Sequence, residues 1–217
     1  MDPKPAAKLP TIRNADDFQR HFSVSHETVE RLETYAALLR QWQKAVNLVA
    51  PATLDEVWHR HFADSAQLLP LAPDARNWLD LGSGAGFPGL VIAILCANHE
   101  NRSVHLVESN SRKCAFLQEV ARRTSVSVAI HEGRIEDAAN AGRVGKVDVV
   151  TARALAPLAK LLALSDGFFS EQTIGLFLKG REASREMEEA GGVGRFSFQS
   201  IPSRVHGEGS IIAVRRS

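Results

Sequence analysis

The sequence predicts an α/β fold: a mostly parallel, seven-stranded sheet flanked by helices, with an N-terminal helical extension. Three observations predict it. From Asn77 onward, short apolar runs alternate with helical patterns at the spacing of parallel strands joined by crossover helices. The first run, Trp78-Leu79-Asp80-Leu81, stops abruptly in Gly82-Ser83-Gly84-Ala85-Gly86-Phe87-Pro88-Gly89, a glycine-rich turn into a helix. The last segment differs. Phe196 to Ile201 alternates, Gly207-Glu208-Gly209 breaks the chain, and Ile211-Ile212-Ala213-Val214 is apolar, so the two runs read as an antiparallel pair closing the sheet edge.

The elements follow in order. Residues 1 to 12, rich in Pro, Lys and Ala, read as a mobile tail. Asn14-Ala15-Asp16-Asp17 starts a short helix, and Ser25 or His26 precedes a longer one. In the latter, Val29, Leu32, Ala36, Leu39, Trp42 and Val46 recur at three- and four-residue steps, a stripe suited to core packing. Asn47-Leu48-Val49-Ala50-Pro51 breaks it, because a residue before proline avoids the helical region. Thr53 and Glu56 have the spacing of a capping box. A polar group, Arg60-His61-Phe62-Ala63-Asp64-Ser65, follows. The organisation is thus a tail and helical cap over 1–70 and a sheet domain over 71–217, forming one compact unit. Strands are expected at 77–81, 103–108, 127–131, 146–151 and 173–179, and helices at 88–98, 111–123, 136–141 and 154–165. There are no internal repeats.

At 217 residues the chain suits one domain. No apolar run is long enough to span a bilayer and the N-terminus lacks a signal-peptide core, so a cytoplasmic protein is expected. Cys96 and Cys114 lack metal-ligand spacing and read as reduced, packed thiols, and no His/Cys/carboxylate cluster suggests a metal. The formal net charge of +1 does not announce a polyanionic partner. Arg112-Lys113, Arg122-Arg123, Lys179 with Arg181, and Arg215-Arg216 read singly as solvated faces or termini.

Chemistry concentrates at the glycine turn. Glycines permit positive φ and present no Cβ, so a ligand can lie against the backbone and the following helix N-terminus. Such a turn at a strand's carboxyl end suits a nucleotide-like cofactor. Gly82, Gly84 and Gly86 form G-x-G-x-G, not the dinucleotide pattern G-x-G-x-x-G, and Asp80 stands two residues earlier. This D-x-G-x-G-x-G resembles motif I of class I S-adenosylmethionine-dependent methyltransferases, whose sheet is Rossmann-like. The next strand, Val104 to Val107, ends in Glu108, about twenty residues beyond the glycines, where an acid takes two ribose hydroxyls. Alternative readings are a turn-capping role for Asp80 and a helix-entry role for Glu108.

Further pieces sit at later strand ends. They are Gly133-Arg134-Ile135-Glu136, Ala152-Arg153-Ala154 and Leu178-Lys179-Gly180. Together with Asn47-Leu48, Arg60-His61, Asp64-Ser65, the Leu79–Gly89 turn, Val107-Glu108-Ser109, Lys113 and Phe116-Leu117, they make the chain resemble the bacterial small-subunit ribosomal RNA (guanine-N7) methyltransferase family, RsmG (GidB). The resemblance runs from about residue 25 to the end. It implies S-adenosyl-L-methionine as donor and a guanosine of 16S ribosomal RNA, free or in the small ribosomal subunit, as acceptor. Guanine N7 carries a lone pair and no proton, so it attacks the methyl group in line without a general base. The site then supplies mainly proximity and alignment, in keeping with the absence of any Ser/His/Asp, Cys/His or paired-carboxylate arrangement.

The resemblance also implies roles. Gly82, Ser83, Gly84, Gly86 and Phe87 border the donor, and Asp80 fixes the loop or meets the donor's amino group. Glu108 takes the ribose, while Ile135 and Glu136 flank the adenine. Arg134 and Arg153 serve catalysis by reaching the RNA phosphate or guanine edge, Arg153 also bordering the donor, and Lys179 meets RNA on the same rim. Phe87 is expected to pack locally, and Arg60, His61 and Asp64 to form a polar network tying cap to sheet. No metal and no membrane partner are expected, and the protein is expected to be a monomer. Competing readings are a nicotinamide-dependent oxidoreductase, a methyltransferase acting on a small molecule or another RNA, and a non-catalytic RNA-binding module.

Overall fold

A computed structural model describes residues 8–99, 101–140, 142, 144–191 and 194–217, without the side chains of residues 139 and 140. Seven strands, β1 (Asn77–Leu81), β2 (Ser103–Glu108), β3 (Ala129–Glu132), β4 (Val149–Arg153), β5 (Ile174–Lys179), β6 (Phe196–Pro202) and β7 (Ser210–Arg216), form one sheet in the order β3-β2-β1-β4-β5-β7-β6. Strands β1 to β5 are mutually parallel, and β7 is antiparallel to both β5 and β6. The strand order reverses between β1 and β4, so the crevice above their carboxyl ends is where a ligand is expected.

Successive strand residues point to opposite faces, and both faces are apolar. Trp78, Leu106, Val149, Leu176 and Ile211 belong to one core cluster, and their neighbours Leu79, Val107, Val150, Phe177 and Ile212 to the other. The first cluster is covered by α1 (Ala15–Phe22), α2 (His26–Trp42), α4 (Gly89–Leu95) and α5 (Ser111–Thr124), so the helical extension shares its core with the sheet. The second lies under α6 (Ile135–Asn140), α7 (Leu158–Ser165) and α8 (Ala183–Ala190). A short α3 (Asp64–Ala66) continues a wide π-helical turn, Trp58–Ala63. Side chains of Asn14, Ser25 and Asn110 accept from the first-turn amides of α1, α2 and α5.

Several expectations change. Residues 1–7 of the expected tail lie outside the described residues, but Leu9 N donates to Arg204 O at 2.8 Å and Ile12 is buried. Thr53 makes no capping box: its hydroxyl donates to Ala50 O and meets His61 Nε2 instead. Strand β4 runs on to Arg153, and α7 starts at Leu158 rather than 154. Ala154 at φ 53° turns the chain, and Pro157 keeps Ala156 from the helical region. Arg153 is therefore a strand-end residue, five positions before the helix. Helix α8 was not expected: its apolar positions Ala183, Met187 and Ala190 are two alanines and one methionine, a weak stripe. Residue 141, expected to end a helix, lies outside the described residues.

Candidate active site

The turn after β1 holds Gly82, Gly84 and Gly86 at φ 63°, 56° and 92°, where only glycine is unstrained. Their surroundings divide their roles. A Cβ on Gly86 would meet Leu90 Cδ1 at 2.6 Å and the Tyr35 hydroxyl at 2.7 Å, and one on Gly82 would meet Leu155 Cδ1 at 2.5 Å. On Gly84 it would meet nothing nearer than Gly82 O at 3.7 Å. Gly86 and Gly82 thus admit neighbouring protein, and Gly84 leaves open space.

Two acids secure the turn. Asp80 is 1% exposed. Its Oδ1 accepts from Thr151 Oγ1 at 2.9 Å and its Oδ2 from Gly89 N at 3.2 Å, so both oxygens are used inside the protein. The α4 N-terminus therefore faces Asp80 and not an external ligand. Burial pushes the Asp80 carboxyl up to about 6 despite these bonds. Glu108, at the end of β2, accepts from Gly84 N at 2.9 Å and from Asn110 N at 2.8 Å.

A cavity of about 1020 Å³ opens over the carboxyl ends of β1, β4 and β5. Of the residues expected at the site, it is lined by Gly82, Ser83, Gly84, Phe87, Arg153 and Lys179. Asp80 and Gly86 lie beneath the turn, and Glu108 braces it through Gly84 N. Ile135 is buried in the second core cluster, while Arg134 and Glu136 are exposed at the start of α6, outside the cavity lining. Other lining residues, among them Thr53, Arg60, His61, Asp64, Glu186, Ser203 and His206, were not expected to touch a ligand. The Arg60-to-Ser65 block carried a signal for three of them, whereas Glu186 sits on the unexpected α8.

The side wall is an aromatic and ionic stack. The Phe87 ring lies 4.7 Å from His61 and 5.3 Å from Tyr35, each at 15°, with Arg153 Cζ 4.9 Å from its centroid. Arg153 Nη1 donates to Arg60 O at 3.1 Å and lies 3.5 Å from Asp64 Oδ2. Asp64 Oδ1 accepts from Gln67 Nε2 at 2.8 Å, and Gln67 also bonds Ser203 and Arg204 N. Burial raises the Asp64 carboxyl, with Arg153 opposing the shift. Phe87 therefore packs locally, and the Arg60–Asp64 segment does tie the helical extension to β4 and the β6–β7 connection.

His61 is held neutral. The Thr53 hydroxyl donates to Ala50 O, so at the 2.9 Å contact it accepts from His61 Nε2–H. Nδ1 then carries no proton, and it has no partner among the described residues. Burial, then the charges of Arg153 and Arg60, push the ring down to about 3.

Of the expected cationic rim of Arg134, Arg153 and Lys179, the latter two do line the cavity at the ends of the neighbouring strands β4 and β5, each with an acidic partner. Arg153 is paired within the wall, and Lys179 Nζ donates to Glu186 Oε2 at 2.7 Å and Ala156 O at 2.5 Å. Arg134 lies apart. Two of the three charges are thus accounted for by internal pairing. Among the described residues no His/Cys/Asp/Glu group could hold a metal, and no helix is long and apolar enough to cross a membrane.

The family model described as rRNA small subunit methyltransferase G (GidB) matches residues 28–206. The chain belongs to this family. Relatives carrying the name ribosomal RNA small subunit methyltransferase G include one from Methylorubrum populi, 52% identical over 192 residues, covering 88% of this chain and 90% of the relative. Another, from Parvibaculum lavamentivorans, is 48% identical over 207 residues, covering 95% and 91%. Among solved structures, an O-methyltransferase from Bacillus cereus in complex with SAH shares the fold at a TM-score of 0.61 and 17% identity, over 85% of this chain and 91% of that one. The Methanococcus jannaschii fibrillarin pre-rRNA processing protein shares it at 0.53 and 19%, over 65% and 66%. The sheet is thus that of the class I methyltransferases, and the protein is a methyltransferase of the small-subunit ribosomal RNA family.

Proposed function

We propose that the protein transfers a methyl group from S-adenosyl-L-methionine to N7 of one guanosine in 16S ribosomal RNA. The observation that carries this, beside family membership, is the open face of Gly84 on a cavity that extends past β4 to β5. A Cβ there would fill the cradle, so the residues present fit a cofactor laid against the turn. Gly82, Ser83, Gly84 and the Phe87 wall would hold it, with Glu108 turning to the ribose and Ile135 and Glu136 bordering the adenine.

When bound, the cofactor supplies an electrophilic methyl group that a guanine N7 lone pair accepts with no proton to remove. The surrounding groups agree with that requirement. Neutral His61 adds no cation to a site where positive charge moves onto the base, and Asp80 is closed off behind the turn. Arg153 acts as a positioning residue that keeps Phe87 and Asp64 in place, and Lys179 as the partner of Glu186. RNA phosphates fall to more exposed cations: Arg181 at the cavity and Arg134 beyond it. On this reading the protein is a cytoplasmic monomer that meets its RNA as a single chain.

Donor titration by calorimetry, beside methyl transfer to small ribosomal subunits, tests this reading. Glu108→Ala is expected to weaken donor binding by about 1–3 kcal/mol, because hydrogen bonds to a charged acceptor are lost. Unchanged affinity in a folded variant removes Glu108 from the donor site.

A further inference from the structure

Glu186 has a half-finished set of hydrogen bonds. It stands on α8, is 17% exposed and lines the cavity. One oxygen, Oε2, accepts from Lys179 Nζ and from Leu158 N, both at 2.7 Å. Two donors occupy the two lone pairs of that oxygen. The other oxygen, Oε1, has no hydrogen-bond partner among the described residues, and it is not among the atoms sealed from the surface without one. The other carboxylates lining the cavity differ. Asp64 has both oxygens engaged, by Gln67 and Arg153, and Glu208 is exposed on the β6–β7 connection.

We propose that Glu186 Oε1 reads the Watson–Crick edge of the acceptor guanine, an inference that rests on the reaction assigned above. Guanine presents two adjacent donors there, N1–H and the 2-amino group, and a carboxylate oxygen with two vacant lone pairs accepts from both. Adenine presents an N1 lone pair at the same place, which a carboxylate repels. N7 lies on the opposite side of the purine, so a guanine gripped by Glu186 turns N7 away from α8. Glu186 is tied to the end of β5 by Lys179, and β1 is separated from β5 by β4 alone, about 10 Å across the sheet. That span matches a purine laid between Glu186 and the turn at Gly84. Lys179 and Leu158 N fix the carboxylate before the base arrives, so little rearrangement accompanies binding. The same negative charge favours the cation that forms on N7 methylation.

The test uses the full-length protein and small subunits assembled on 16S RNA with guanosine or inosine at the methylated position. Inosine lacks only the 2-amino group. The wild type is expected to lose about tenfold or more in kcat/KM on the inosine substrate, since a recognition bond is removed and an acceptor is left unpaired. Glu186→Gln keeps an oxygen for Lys179 and Leu158 but offers the base an amide N–H. It is expected to lose at least tenfold on guanosine, to treat the two substrates alike, and to bind donor as the wild type does. Glu186→Ala is expected to be equally indifferent. A wild type that does not distinguish inosine overturns the proposal. So do variants that keep the wild-type guanosine-to-inosine ratio, because a purely structural Glu186 would lower both activities together. Absence of methylation of the guanosine substrate by the wild type overturns the assigned reaction itself.

Discussion

Arg153 shows how one residue's surroundings decide its role. Its guanidinium faces Asp64, Arg60 O and the Phe87 ring, and burial lowers its pKa against the pull of Asp64. Arg153→Ala would leave the Asp64 carboxylate buried without its ion partner, and breaking such a pair costs about 3–5 kcal/mol. We expect a loss of that order by chemical denaturation, largely recovered in Asp64→Ala/Arg153→Ala, where no charge is stranded. A single variant as stable as the wild type would instead leave Arg153 available to RNA. His61 gives a pH-dependent prediction. Its pKa is about 3 in the folded protein against an ordinary 6.5, so the unfolded chain binds the extra proton. The stability due to neutral His61 is complete above pH 6.5 and is lost as pH falls toward 3. Asp80, raised to about 6, works the other way: the stability of its neutral form is present below about pH 4 and lost by pH 6. His61→Gln is expected to remove about 3 kcal/mol of the destabilisation between about pH 7.5 and pH 4.5, read from denaturation midpoints at both values. An unchanged pH profile would mean that the buried ring does not titrate in this range.

The elements divide by how local their causes are. Strands β1, β2 and β5 were legible because each is a short, mainly apolar run that ends at a Gly or a charged residue. The start of α7 was not, because the apolar run after Arg153 looks helical until Ala154 at positive φ and Pro157 are weighed together. Helix α8 lacked a stripe of large apolar residues, and its loss from the sequence reading hid Glu186. The glycine turn was legible as a motif, yet the separate duties of its glycines follow from neighbours far along the chain. Gly86→Ala is expected to destabilise by several kcal/mol, since the new methyl meets Leu90, Tyr35 and Leu117. Gly84→Val places its Cβ no nearer than 3.7 Å to Gly82 O, carries the strain of positive φ, and is expected to fold while losing donor binding. Thermal unfolding and donor calorimetry on the pair check this. Normal donor binding by Gly84→Val would show that the turn's open face is not used.

At the scale of the whole molecule, the sheet order places three strand ends from distant parts of the sequence around one cavity. Alternation of strands and helices made that edge legible. The wall opposite was not, because it comes from the helical extension and the β6–β7 connection, joined through Asp64, Gln67 and Ser203 across 136 positions of sequence separation. Contacts at such separation leave no periodicity to read. The same network gives Arg153 its partner in Asp64, while Lys179 is paired separately with Glu186 on α8. The central claim is methyl transfer to one guanine N7 in 16S RNA. The most direct measurement incubates the purified protein and labelled S-adenosylmethionine with small subunits from cells lacking this gene, then maps the label by chain cleavage specific for 7-methylguanosine. The account predicts a single cleaved position in 16S RNA carrying the label. Label at another atom or spread over many sites, or no transfer by a protein that binds the donor, would contradict it.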